Sequence, residues 1–146
     1  MTLENLLKIG QLKPHTTDAT EIGRLLAAAQ RNLGDARVAG ISPETRFDVA
    51  YKAIMQVALA ALMANGYRPD TNRLGHHMTV LQSLPKTIGL SKERMLLMDA
   101  LRKKRNLSDY TGQDIDDGSA ETCKAEAEKL VDEVTQWLRD NQQDLM

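Results

Sequence analysis

The chain has 146 residues, a length that suits one domain built around one core. Hydrophobic residues make up 42% and charged residues 27% of it, a balance typical of a globular protein, which argues against a disordered chain. The 19 basic and 20 acidic residues nearly cancel, so whole-molecule charge does not indicate nucleic-acid binding, and any such site has to be a local patch.

The single cysteine, Cys123, excludes an intrachain disulfide and a metal site made of several thiolates, and we interpret it as structural. The N-terminal stretch MTLENLLKIGQLKPH lacks the long apolar run of a signal peptide. The longest apolar stretch, Val57 to Ala64, is too short to cross a bilayer. We therefore expect a cytoplasmic protein with no membrane contact, no metal and no cofactor.

Aromatic residues make up only 3% of the chain, so Ala, Leu and Met have to fill the core, which favours helix over strand. Residues 1–17 read as an N-terminal arm, with a short helix over residues 1–9 and a loop from Gly10 to Thr17. From Asp18 to about Ala39, apolar residues recur at spacings of three and four, which predicts an amphipathic helix.

Ser42 and Pro43 are typical of a helix start, and they open a second helix that runs to Asn65. Gly66 is its expected C-terminal stop. Apolar residues cover most of the circumference of this helix, as in a central helix of a bundle or one at an oligomer interface. The polar stretch from Tyr67 to Gly75 is expected to be a loop.

A third, shorter helix is predicted from about His76 to Ile88, and Ser91 caps a fourth that continues into the stretch KKRNLSDYTG. Ser119 is the expected cap of the last helix. No block alternates apolar and polar residues in the manner of a strand. The sequence therefore predicts an all-α fold: a single up-and-down bundle of four main helices plus a short one, over residues 18–142.

The stretch KKRNLSDYTG contains the most concentrated set of polar groups. Residues three and four apart share a helix face, so a helix that persists through Tyr110 presents one polar strip, made of Arg102, Arg105, Asn106, Asp109 and Tyr110. In a purely structural interpretation, Arg105 and Asp109 form an exposed ion pair worth about 0.3–0.5 kcal/mol, Asn106 begins to loosen the helix, and Tyr110 packs on a neighbour. In a functional interpretation, the strip is a binding site.

His76 and His77 stand where the third helix begins. Neighbouring helical residues point about 100° apart, so the two histidines are poor joint ligands for one metal ion. Structurally, one would help to cap the helix while the other is solvated. Functionally, one would face the polar strip as a proton carrier or a phosphate contact.

Arg46 and Tyr51 lie on the second helix. Arg46 either pairs with Asp48 or Glu44, or points into the same groove as Arg105. Tyr51 is expected to bury its ring and to leave its hydroxyl at a polar edge.

Four segments in this order resemble the HEPN superfamily (higher eukaryotes and prokaryotes nucleotide-binding) over roughly residues 18–140. They are SPETRFDVAYKA at the start of the second helix, the GYRP loop, the GHH start of the third helix and RNLSDY near the end of the fourth. The resemblance implies a helical bundle that is often dimeric. Many members are ribonucleases in toxin–antitoxin, phage-defence or RNA-processing systems, and others accompany a small nucleotidyltransferase.

Active members of that superfamily need no metal: the 2′-hydroxyl of the RNA attacks the neighbouring phosphate. They use an Arg, often followed by Asn or another polar residue, and a His four to six residues later. Arg105 and Asn106 match the first half, but Tyr110 stands near the place of the His, as in variant branches that end in Asp-Tyr. Tyrosine, with an unperturbed pKa of about 10, is a weak base at pH 7, so binding survives this departure more readily than cleavage.

We therefore expect a HEPN-like module that binds a nucleotide or RNA phosphate, is non-catalytic or weakly catalytic, and acts as a homodimer or beside a nucleotidyltransferase. The expected residues at catalytic positions are Arg105, Asn106, Tyr110 and His77. Those expected to bind phosphate are Arg102, Arg105, Asp109, Arg46 and His76. One alternative is an active, metal-independent ribonuclease toxin. Another is a dimeric protein–protein interaction module without a ligand.

Overall fold

The computed structural model describes residues 2–146, and this part of the chain is predominantly helical. In chain order the helices are α1 (Leu3–Lys8), α2 (Ala19–Ala36), α3 (Pro43–Ala64), α4 (His76–Gln82), α5 (Leu84–Thr87), α6 (Lys92–Thr111) and α7 (Asp117–Asn141), and a single 3-10 turn (Gln143–Leu145) follows them. The all-α prediction is thus confirmed at the level of fold class. The short helix predicted over residues 1–9 is present as α1, whereas Met1 lies outside the described residues.

Helix α3 lies at the centre of the protein, because it packs against α2 and α7 and also contacts α4, α5 and α6. Phe47, Tyr51 and Ile54 on this helix are at most 1% exposed. The apolar circumference read from the sequence is therefore explained by burial on several sides. By length and composition alone α3 could also cross a membrane, but 56% of its most apolar window is buried inside the fold, so this is weak evidence for a membrane span.

Side chains cap the main helices by accepting a hydrogen bond from the backbone N–H three residues later. Asp18 does so for α2, and Ser42 and Ser91, two of the three predicted caps, do so for α3 and α6. The prediction for α7 is wrong. Asp116 is the cap, and the expected cap, Ser119, instead donates its backbone N–H to the Asp116 carboxylate.

Two segments expected to be loops pair as a small antiparallel sheet. Strand β1 (Leu12–Pro14) lies against β2 (Tyr67–Pro69), with Leu12 opposite Pro69. Each strand has three residues and contains a proline, so neither shows the alternating pattern from which a strand is recognised. The pairing attaches the N-terminal arm to the segment between α3 and α4, and Leu12 is buried in the core.

Two further boundaries differ from the sequence prediction. The third predicted helix is divided at Ser83 into α4 and α5, because Pro85 lacks a backbone N–H and cannot donate the helical hydrogen bond to the carbonyl four residues before it. Helix α2 ends at Ala36, before the predicted end at about Ala39. By contrast, α6 continues through Tyr110, which is the condition on which the polar strip was predicted. It is followed by Gly112, which adopts a left-handed conformation with φ +71°.

A partly buried ion-pair network joins α6 to α7. Arg94, in the first turn of α6, donates hydrogen bonds to Glu126 at 3.0 and 3.1 Å and also to Glu133. Glu126 is only 8% exposed, so its charge needs compensation, which comes mainly from Arg94 and also from Lys129, whose Nζ lies 3.7 Å from Oε1 of Glu126. The network holds the start of α6 against the middle of α7.

Candidate functional site

A cavity of about 510 Å³ opens between the start of α4 and the C-terminal half of α6, and we call it the polar cleft. Its lining residues are Gly75, His76, His77, Arg102, Arg105, Asn106, Asp109 and Tyr110. Every residue predicted for the site except Arg46 is among them. The structure thus brings the GHH segment and the polar strip together.

Arg102 is held in the cleft by a buried carboxylate. Its Nε donates a hydrogen bond of 2.8 Å to Oδ1 of Asp99, which is 7% exposed. The other carboxylate oxygen of Asp99 lies 3.5 Å from Nζ of Lys103. Asp99 therefore fixes the Arg102 guanidinium through one of its donor nitrogens, and the terminal nitrogens remain for a ligand.

Arg105 stacks on a ring instead of forming a tight ion pair. Its guanidinium carbon lies 5.0 Å from the centre of the Tyr51 ring, a cation–π contact. The predicted pair with Asp109 is present but long, at 3.9 Å from Nε, and Asp48 lies 4.0 Å away. Within residues 2–146, Nε has no hydrogen-bond partner. The side chain is thus fixed by stacking, while its hydrogen-bonding capacity is little used.

Tyr51 forms the floor beneath Arg105. The residue is 1% exposed, and no group of the described chain pairs with its hydroxyl. Burial raises the pKa of Tyr51 to about 12, although the nearby Arg105 acts in the opposite direction. The expected polar edge for this hydroxyl is not seen. Sequence reasoning missed the role of Tyr51 because an aromatic residue on an apolar helix is most often simple core.

The two histidines line the cleft side by side. Their ring centres are 4.7 Å apart with the planes nearly perpendicular, and the His77 ring lies 6.3 Å from that of Tyr51. Neither histidine caps α4, because the cap position is occupied by Gly75, which has no side chain to form a capping hydrogen bond. Burial lowers the pKa of His77, with further lowering from His76 and Arg105, which favours a neutral imidazole at pH 7.

Tyr110 stands at the mouth of the cleft and is 89% exposed. The interpretation that its ring packs on a neighbour is therefore wrong. Helix α6 also continues past Asn106 without loosening, so both residues keep their places on the helical strip. An exposed phenol can donate a hydrogen bond to a bound ligand but is a poor base at neutral pH.

Arg46 lies outside the cleft. Its guanidinium donates 2.9 Å hydrogen bonds to the backbone carbonyls of Ala36 and Val38, and it lies 3.8 Å from Glu121. It pairs with neither of the acidic neighbours predicted for it. Because carbonyls at a helix end lack helical partners, Arg46 stabilises the turn that follows α2 and is not placed to bind a ligand of the cleft.

Cys123 and the acidic residues offer no obvious metal chemistry. Among residues 2–146, no group of three or more His, Cys, Asp or Glu side chains is arranged to hold a metal ion. Cys123 is fully buried, its thiol donates to the Phe47 carbonyl at 3.7 Å, and burial raises its pKa to about 12. It is therefore a packing residue, as interpreted from the sequence.

In comparisons with known proteins, no family model matches the chain and no curated protein matches it. The resemblance to the HEPN superfamily therefore rests on the four quoted segments and stays a prediction.

Proposed function

We propose that the protein is a HEPN-like helical module that binds the phosphate of a nucleotide or of RNA in the polar cleft, with little or no catalytic activity. The observation that carries this proposal is the convergence of Arg102 and Arg105 with His76, His77 and Asn106 around one cavity. Guanidinium groups bind phosphate oxygens through paired, charge-assisted hydrogen bonds, and imidazole and amide groups supply further donors.

Arg102 and Arg105 both keep hydrogen-bond donors that a phosphate could use, which supports the proposal. Arg105 has only long contacts with Asp48 and Asp109, whose side chains are 55% and 53% exposed. Exposed pairs of this length contribute little free energy, so a phosphate can replace them at small cost. Arg102 keeps its link to Asp99 and can still offer its terminal nitrogens. The cleft therefore combines an Arg102 guanidinium held by Asp99 with an Arg105 guanidinium that is held by stacking and makes only long contacts with carboxylates.

The size of the cleft also suits the proposal. Its volume of about 510 Å³ falls in the usual range for small-ligand sites, roughly 300–1,000 Å³. Since the cleft is open to solvent along α6, an RNA backbone could enter as well as a free nucleotide.

Binding of 5′-ribonucleotides and of short single-stranded RNA, measured by titration calorimetry at low salt, tests the proposal. Arg105→Gln removes the charge and keeps a polar side chain, and Arg139→Gln on exposed α7 surface is the matched control. We expect the control to bind like the natural protein and Arg105→Gln to bind at least tenfold more weakly. No binding of any of these ligands by the folded natural protein would refute the proposal.

We further propose that the protein acts in the cytoplasm, away from membranes, as a homodimer or with a nucleotidyltransferase in a toxin–antitoxin or defence-type system. Exposed apolar side chains beside the cleft support a protein partner: Leu74 is 99% exposed and Met78 is 36% exposed. Sedimentation velocity on the purified chain tests the homodimer. A monomer at all concentrations would leave only the second kind of partner.

Metal-independent ribonuclease activity is the second candidate function, and the position of His77 favours it. This histidine lines the same cavity as Arg105, and its lowered pKa keeps it neutral, as a general base for a 2′-hydroxyl must be. RNA cleavage in EDTA that disappears in both Arg105→Gln and His77→Gln would establish the enzyme. Absence of cleavage together with retained RNA binding would leave the binding module.

A further inference from the structure

A second, smaller cavity adjoins the polar cleft, and we call it the apolar pocket. It has a volume of about 230 Å³ and shares His76 and His77 with the cleft. Its other lining residues come from α3, β2, α4 and the segment after β2, and they are Met55, Gln56, Leu59, Pro69, Thr71 and Val80. The two cavities thus differ sharply in chemistry and meet at the histidine pair.

The dimensions of the apolar pocket limit what it can hold. Its volume is below the roughly 300 Å³ from which complete small-ligand sites begin, so it accommodates one ring or one side chain. A group bound there must belong to a ligand whose remainder lies elsewhere. The polar cleft is the cavity that shares its wall, and its arginines select a phosphate.

We propose that the apolar pocket receives the base of the nucleotide whose phosphate binds in the polar cleft. The ligand class is then a nucleoside phosphate, free or within RNA, as opposed to inorganic phosphate or a phosphorylated side chain. This inference rests on the function proposed above, because it assumes that the phosphate occupies the side of the histidine pair that faces Arg105.

The walls of the pocket fit a flat heteroaromatic ring. Met55, Leu59, Pro69 and Val80 provide apolar contacts for its faces, and the imidazole of a histidine can stack on it. Burial of such a ring is favourable whichever base carries it, so the pocket should bind any of the bases and discriminate little among them.

Gln56 adds a polar group to this apolar lining. Its side-chain oxygen accepts a 2.8 Å hydrogen bond from Nδ2 of Asn32, which orients the amide. The remaining amide nitrogen is a donor. A ring nitrogen or carbonyl oxygen on the edge of a base is its natural acceptor, whereas an aliphatic or phenyl side chain of a protein partner has none.

Binding of a matched ligand pair separates the base from the phosphate. The four 5′-ribonucleotides and ribose 5-phosphate are titrated into the natural protein and into Thr71→Trp, in which a large ring at an exposed lining position obstructs the pocket. Thr122→Trp, at an exposed position of α7, is the control. We expect at least one nucleotide to bind tenfold or more tightly than ribose 5-phosphate, and this preference to vanish only in Thr71→Trp.

Different failures of this experiment have different meanings. Equal affinity of the natural protein for nucleotides and for ribose 5-phosphate, with both weakened by Arg105→Gln, overturns the base pocket and leaves the phosphate site standing. A nucleotide preference that persists in folded Thr71→Trp also overturns it. If the nucleotides, ribose 5-phosphate and short RNA all fail to bind, the proposed function itself fails, and this inference fails with it.

The methionine methyl groups provide an independent readout by ¹³C NMR. Met55 lies in the apolar pocket, Met78 lies against Gly75 of the polar cleft, and Met98 is buried in the core. Nucleotide should shift the Met55 signal through the ring current of its base, and ribose 5-phosphate should not. Met98 is the control for global change. A nucleotide-saturated protein in which Met78 shifts but Met55 does not would contradict the assignment.

Discussion

Replacing Tyr51, the residue beneath Arg105, with phenylalanine separates the effect of its hydroxyl from the effect of its ring. The hydroxyl of Tyr51 is buried, and no group of residues 2–146 pairs with it, whereas its ring supports the Arg105 guanidinium at 5.0 Å. Tyr51→Phe removes the hydroxyl and keeps the ring. The stacking contact, and with it the position of Arg105 in the cleft, should therefore persist.

The magnitude follows from the cost of burying an unpaired polar group, which is about 1–3 kcal/mol. Removing the hydroxyl removes this cost, but the smaller side chain leaves a small void that offsets part of the gain. We therefore expect Tyr51→Phe to raise the free energy of unfolding by about 1 kcal/mol. That corresponds to a rise of roughly 2–4 °C in the melting temperature. Tyr51→Leu, which removes the ring as well, should instead lower stability by about 2 kcal/mol.

The free energy of unfolding should also depend on pH through Tyr51. The pKa of Tyr51 is raised to about 12 in the folded chain, against about 10 for an unfolded tyrosine. The folded state therefore holds this proton more tightly. The resulting stabilisation is fully present below pH 10 and is lost as the pH rises from about 10 to about 12. The stability advantage of Tyr51→Phe should accordingly grow across that interval.

Urea denaturation followed by circular dichroism, at pH 7 and at several values above pH 10, measures these effects. Tyr110→Phe is the control, since that side chain is 89% exposed and its substitution should leave stability unchanged. A loss of 1 kcal/mol or more in Tyr51→Phe at pH 7 would refute the reasoning, because it would mean that the hydroxyl is hydrogen-bonded in the folded protein. Unchanged nucleotide affinity in the same variant would support the stacking role of the ring.

Three further predictions concern Arg94, His77 and Cys123. Arg94→Met should lower the free energy of unfolding by about 2–4 kcal/mol in urea denaturation, because it leaves the buried Glu126 carboxylate without its main partner, and a loss below about 1 kcal/mol would contradict this. The pKa of His77, followed by ¹⁵N NMR, should lie below its usual value and should rise in Arg105→Gln, where a nearby positive charge is removed; a pKa that does not move would show that Arg105 exerts no field there. Because the folded pKa is lowered, this histidine's contribution to stability is present above about pH 6.5 and is lost as the pH falls below it. Cys123 should react with a thiol reagent at pH 8 at least about a hundredfold more slowly in the folded than in the urea-unfolded protein, and rapid labelling of the folded chain would disprove its burial.

Features governed by neighbouring residues could be predicted from the sequence. Local preference identifies the caps Ser42 and Ser91. Periodicity identifies the apolar circumference of α3, which predicted either a central helix or one at an oligomer interface. The polar strip was predicted on the condition that α6 continues through Tyr110, and the structure meets this condition. The same geometry placed the polar strip on one face of α6. The cap of α7 was misplaced because Asp116 and Ser119 are both good cap residues, and local preference does not choose between them.

Contacts between residues far apart in the chain could not be predicted from local sequence preferences. The pairing of β1 with β2 joins segments more than fifty positions apart, and three-residue strands carry no pattern of their own. The choice of partners for Arg46 was equally open, since its acidic neighbours in sequence lay closer than the carbonyls it binds at the end of α2. Only packing of α2 against α3 brings those carbonyls within reach.

The sequence by itself thus determined the approximate positions of the main helices and the set of polar residues on α6, because both depend on interactions within a few turns. The tertiary structure alone decided that His76 and His77 of α4 face Arg102 and Arg105 of α6, that Tyr51 of α3 lies beneath them, and that an apolar pocket adjoins the cleft. The physical reason is the apolar character of α3: a helix that can be buried on nearly every side does not specify, from its own residues, which neighbour packs where.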